Sequence, residues 1–196
     1  MAKYTQAEKD SISRIFLDLK DDDFDITSDD TPVYNCIGFA IGFTDVWVAL
    51  GHPRRIPWFW WPETVPFSND KDALVKTFEY FGFIKCDDDQ IESGWDKVAL
   101  YGDDVQWLHA AKVIGPNLYH SKLGCGHDIH HKGDKDLLQR TRRPDDSYGK
   151  VYQYMKRKTE DAHITNDKKP IPGRMIDTVT GKVYPYMIAP HLLKQP

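Results

Sequence analysis

The feature that most constrains this fold is a change of hydrophobic period part-way along the chain. Up to Phe81 the apolar residues recur at helical spacing, whereas from Lys97 they alternate or run continuously. Thr5-Gln6-Ala7-Glu8 has the form of a capping box, and Ile12, Ile15, Phe16 and Leu19 follow at helical intervals, predicting an amphipathic helix to about Leu19. Tyr34 to Phe43 is almost uniformly apolar or small, and Asn35 is a good N-cap, predicting a short buried helix that begins at Cys36. Asp70 to Phe81 places Leu74, Phe78 and Phe81 on one helical face and stops at Gly82. Lys97 to Tyr101, Val105 to Ile114, Leu118 to Leu123 and Lys150 to Met155 read as strands, joined at Gly102-Asp103-Asp104 and Gly115-Pro116-Asn117. Helices followed by a meander predict an α+β arrangement, with an antiparallel sheet packed on the early helices.

The intervening segments read as connections. Asp21 to Asp30 is an acidic loop, and Gly51 to Pro66 holds four prolines around Trp58-Phe59-Trp60-Trp61, a rigid aromatic loop expected to cover a core edge. The 196 residues suit one domain of roughly 150 residues with an appendage. The expected division is a core domain over 1–158 and an extension over 159–196, with a hairpin signal at Thr180-Gly181-Lys182 between Met175-Ile176 and Val183-Tyr184.

A formal net charge of -4, with acidic runs at Asp21 to Asp23 and Asp87 to Asp89, argues against nucleic acid as a partner. Those runs lack the alternating ligands and turn glycine of a calcium loop. No stretch approaches the ~18 consecutive apolar residues of a membrane span, so no membrane partner is expected. The N-terminus reads as polar and helix-forming rather than as a signal peptide, predicting a protein that starts in the cytoplasm.

Three cysteines at irregular spacing leave at least one thiol free. Cys36 at a predicted helix N-terminus faces unpaired backbone N–H groups that favour a thiolate, and the Asn35 amide would be a donor to a developing oxyanion. The bland alternative is a small buried apolar residue. Strict alternation from Val105 sends Trp107, His109, Ala111 and Val113 to one face, on which His109 is the one polar group. A lone strand histidine otherwise serves as a hydrogen-bonded core residue. Cys125, His127, His130 and His131 fall within seven residues, which raises zinc as an alternative, although the spacing fits no standard finger. No cofactor or metal is therefore assigned. His130 is also a candidate to approach the Cys36 site.

Tyr34-Asn35-Cys36 with Ala40, Trp61-Pro62, Asp96 to Tyr101, His109-Ala110-Ala111 and Ser121-Lys122-Leu123-Gly124 together resemble a poorly characterised family of small bacterial domains, similar to the papain-like thiol hydrolases of the NlpC/P60 type. The resemblance spans about Pro32 to Met155. It implies that His109 deprotonates Cys36, that the thiolate attacks an amide carbonyl of a protein or peptide-like substrate, and that a third polar residue orients the imidazole. A three-residue turn at Gly115 to Asn117 puts Ser121 on the His109 face as that third residue, whereas a two- or four-residue turn puts Lys122 and His120 there. Neither Ser121 nor Lys122 is the His, Asn or Gln usual in that superfamily. The resemblance implies a peptidase, amidase or glutamine deamidase, in an effector, toxin or phage–host protein with an immunity or host partner. The alternative is an inactive domain of the same fold that binds or inhibits a partner.

Overall fold

The computed structural model of the chain describes residues 4–48, 59–133, 136–176 and 183–188. In chain order the regular elements are α1 (Gln6–Ser13), β1 (Phe24–Ile26), α2 (Cys36–Ile41), β2 (Trp47–Val48), β3 (Phe59–Trp60), α3 (Lys71–Tyr80), β4 (Ile84–Cys86), β5 (Trp95–Gly102), β6 (Trp107–Gly115), β7 (Leu118–Lys122), β8 (Asp128–Lys132), β9 (Lys150–Lys158), α4 (His163–Asp167), β10 (Ile171–Ile176) and β11 (Val183–Ile188). The fold is α+β. Seven strands form one antiparallel sheet in the order β1-β8-β7-β6-β5-β9-β4.

The capping box forms at Thr5 and Glu8, but α1 ends at Ser13 rather than near Leu19. The chain leaves the helix because Phe16 bridges Thr141 and the Leu17 N–H donates to the Arg140 carbonyl at 2.8 Å, so tertiary pairing overrides helical spacing. The expected acidic loop hides a 3₁₀ turn and the edge strand β1, which pairs with β8. Strands β4 and β8 were also missing from the periodicity, being too short to establish a period. The predicted hairpin in the extension forms as β10 and β11, with Ile176 opposite Val183, while its turn lies outside the described residues. Trp58 also lies outside them, and Trp60 and Trp61 are buried in the core.

Each face of the sheet carries its own cluster. On one, Val98, Leu100, Ala110 and Met155 pack against α2 and α3 through Ile37, Ala40, Ile41, Leu74 and Phe78. On the other, Ala99, Tyr101, Ala111, Val113 and Tyr119 pack together. The expected alternation along β6 holds from His109 to Val113 but breaks before it. The β5–β6 register shifts between Tyr101 and Gly102, leaving Leu108 as a bulge, so Trp107 turns to the helix side and stacks on Trp61. Val105 is not on the strand face at all but in the turn, 79% exposed.

Helix α2 sits close to the strand that follows it because Gly38 has no side chain. A Cβ there would stand 2.3 Å from the backbone oxygen of Val46, an atom that cannot swing aside. On an exposed helix Gly→Ala would add about 1 kcal/mol of stability. At this position Gly38→Ala is expected to lower it by about 1–3 kcal/mol, read by urea unfolding, and a stabilised variant would contradict the packing described.

Candidate functional site

Cys36 is the first residue of α2, and Asn35 caps that helix by accepting the Gly38 N–H on Oδ1 at 3.0 Å. Oδ1 also accepts the Val48 N–H at 3.0 Å and one Nδ2 hydrogen is donated to the Val48 carbonyl at 2.6 Å. In this arrangement Asn35 anchors β2 to the start of α2, and its amide nitrogen carries a second N–H beyond the one given to Val48. The Cys36 sulfur lies against the N–H groups of Ala110, of Ile37 and of its own residue, all of which favour a thiolate. Burial outweighs them and pushes the thiol up to about 11, so Cys36 rests as a neutral thiol.

His109 precedes Ala110 on β6, so the imidazole begins one peptide unit away from an N–H that favours the thiolate of Cys36. The pleat turns it to the other face, where it is fully buried. Its Nε2 meets Ser121 Oγ at 3.0 Å, and Ser121 Oγ meets His131 Nε2 at 2.8 Å. The ring stacks on Tyr148, with centroids 4.0 Å apart and planes within 7°, and Tyr101 meets it edge-on. Burial, helped by the nearby His131, holds the pKa of His109 well below the usual imidazole range. Nδ1 is buried and has no hydrogen-bond partner, so no hydrogen bond joins His109 to Cys36.

The choice between Ser121 and Lys122 is decided by the β6–β7 turn. Gly115 pairs with Leu118 around a two-residue Pro116-Asn117 connection, but the register then shifts between Val113 and Gly115, and Ala111 pairs with Ser121. The bulge at Ile114 restores the parity that a three-residue loop would have given. Ser121 therefore shares the His109 face.

Lys122 turns to the helix side and is fully buried, with its ammonium bonded to the Gly126 carbonyl, 3.9 Å from Asp128 Oδ1 and 5.0 Å above the Tyr34 ring. Tyr34 in turn donates to Asp128 Oδ2 at 2.7 Å. Burial lowers the pKa of Lys122 against the opposing pull of Asp128. The fold thus brings Lys122 into an ion-pair cluster beside Cys36 and separates it from His109.

Among the described residues no group of three or more His, Cys, Asp or Glu is placed to hold a metal ion. Alternation along β8 divides the dense run from Cys125 to His131. Asp128 and His130 face the helix side, where His130 meets His120 edge-on, while His131 faces His109. His131, rather than His130, is the residue that reaches the site. Its contribution was hidden because the Cys125 to His131 run looked like a ligand cluster instead of a strand. Tyr148 gave no signal, since it arrives from an irregular segment. Beside it a cavity of about 460 Å³ opens between Ile12, Phe16, Leu123, His127 and Tyr148, with Asp30, Asp145 and Asp146 on its rim.

A seven-stranded antiparallel sheet, with a capped cysteine helix over one face and a histidine chain on the other, defines the class of domain. The chain belongs to the family described as a domain of unknown function, DUF7689, whose model matches residues 25–156, from β1 to the end region of β9. No curated protein and no solved structure matches it. No described helix is long and apolar enough to cross a membrane.

The buried histidines predict a stability that depends on pH. His131 is held neutral by burial, with its pKa lowered to about 4, whereas in the unfolded chain it takes up a proton near pH 6.5. The unfolded state binds more protons between these limits, so this contribution is intact above pH 6.5 and is lost as pH falls towards 4, by up to about 3 kcal/mol. Urea unfolding of the wild type and of His131→Gln across pH 7 to 4 should show a smaller decline in the variant. Equal slopes would contradict the assignment.

Proposed function

We propose that this domain is a papain-like thiol hydrolase or acyl transferase acting on an amide, with Cys36 as nucleophile and His109 as base. The observation that carries the reading is the state of His109. One ring nitrogen is held by Ser121, and the other is buried and unpartnered, on the residue before Ala110, whose N–H favours a thiolate at Cys36. An unsatisfied buried nitrogen is costly to leave in a fold. A base that receives the thiol proton gives it a use.

In this scheme the Cys36 S–H proton passes to His109 Nδ1 as sulfur bonds to the amide carbonyl carbon. Collapse of the tetrahedral species breaks the C–N bond, and the leaving amine takes the proton from His109. Water, or another amine in a transferase, then attacks the thioester and gives its proton to Nδ1. Collapse breaks the C–S bond, and the departing thiolate takes that proton back from Nδ1 to restore the thiol and the neutral imidazole. A resting neutral thiol beside a neutral imidazole means that proton transfer accompanies attack rather than preceding it. The cleft beside Tyr148 lies next to the ring that stacks on His109, and its three aspartates favour a positively charged group there.

A second reading is a binding or inhibitory domain without chemistry, favoured by the burial of Cys36, 8% exposed, and by the missing hydrogen bond to His109. Native-state alkylation with iodoacetamide, mapped by mass spectrometry, separates the two. The enzyme reading expects Cys36 to react measurably in the folded protein, and to slow about 100-fold or more in His109→Ala while exposed Cys125 keeps its rate. A Cys36 rate that ignores His109, in a variant with wild-type circular dichroism, would overturn the enzyme and leave the binding domain.

A further inference from the structure

The three contacts that run from His109 to Lys132 fix where every proton between them sits. A carbonyl oxygen only accepts, so the 2.9 Å contact from His131 Nδ1 to the Lys132 carbonyl requires a proton on Nδ1. His131 is neutral near pH 7, because burial keeps it so, and its Nε2 is therefore a bare lone pair. The Ser121 hydroxyl, 2.8 Å away, has one proton, and this nitrogen can only receive it. Ser121 Oγ is then an acceptor towards His109, whose Nε2 at 3.0 Å must carry its ring proton. Neutral His109 has one such proton. Its Nδ1 is thus left deprotonated, and this is the same atom that has no partner.

From this order we infer that His131 is a positioning residue that acts through Ser121 to hold His109 in the tautomer with a bare Nδ1. Donation runs one way, from His109 Nε2–H to Ser121 Oγ and from Ser121 O–H to His131 Nε2, and it is fixed at the far end by a backbone carbonyl that can only accept from His131 Nδ1–H. Tyr119 stacks on His131 and keeps its ring in the plane of the chain, with centroids 5.8 Å apart and planes at 26°. Tyr148 does the same for His109. Ser121 alone would not suffice, because a hydroxyl with no acceptor on its far side is free to donate to His109 Nε2 and drive the proton to Nδ1, where it would block uptake of the thiol proton. The value of this tautomer as a base rests on the hydrolase reading, but the proton order does not.

The test is nitrogen-15 NMR of the histidine rings in the folded full chain, which distinguishes protonated from bare ring nitrogens. Wild-type His109 should carry its proton on Nε2 and none on Nδ1. His131→Phe keeps an aromatic ring beside Tyr119 and removes the acceptor, so the His109 proton should move to Nδ1 and Cys36 alkylation by iodoacetamide should fall about tenfold or more. His131→Gln, whose amide oxygen accepts from Ser121, should restore both. A wild-type His109 with its proton on Nδ1, or a tautomer unmoved in His131→Phe, would overturn the inference. If His131→Phe does not fold, the wild-type spectrum decides alone. The expected tautomer with a Cys36 whose reactivity ignores His109 would uphold the chain of protons and count against the hydrolase.

Discussion

The pleat of β6 is the constraint on which the site depends. Successive residues of a strand face opposite ways, so Ala110 can pack under α2 only if His109 projects from the far side. The small Ala110 side chain lets the first turn of α2 come down to the strand, and the Ala110 N–H then meets the Cys36 sulfur. The imidazole, turned away, is bound into a second set of contacts with Ser121, His131 and Tyr148. The imidazole belongs to the residue that precedes Ala110, and it shares no hydrogen bond with the thiol.

Two devices hold the relation in place. On the helix side, Asn35 bonds both to the first turn of α2 and to β2, and Gly38 admits the backbone of Val46 where no larger residue would fit. On the far side, bulges at Leu108 and Ile114 reset the alternation of β6. The first sends Trp107 to Trp61, and the second brings Ser121 rather than Lys122 onto the His109 face. Each bulge is a single extra residue, and each changes which side chains can meet. Lys122, displaced to the other side, closes an ion-pair cluster with Asp128 and Tyr34 beside the same cysteine.

Much of this was legible in the chain because long segments with a strong period declare themselves. The helix beginning at Cys36, the helix ending near Phe81 and the strands β5, β6, β7 and β9 follow from spacing and capping residues alone. What stayed hidden was decided by contacts distant in sequence. Phe16 looked helical and pairs with Thr141, Asn35 caps α2 and is also tied to Val48, and His131, one of a dense run of imidazoles, is a strand residue. Register was undecidable because a bulge at Ile114 and a loop of different length have the same effect on parity. The family match across residues 25–156 covers the sheet that sets these contacts.

The proposed hydrolase requires His109 Nδ1 to come within reach of the Cys36 sulfur and its substrate. The direct measurement is a crystal structure of the full chain with Cys36 alkylated by iodoacetamide, which places an amide carbonyl where a substrate would lie. The account predicts His109 Nδ1 within about 4 Å of the adduct or its sulfur, with Ser121 and His131 still bonded in series behind it. A ring that remains under Tyr148 with Nδ1 more than about 6 Å from both would contradict it and make Cys36 and His109 parts of two separate structural clusters.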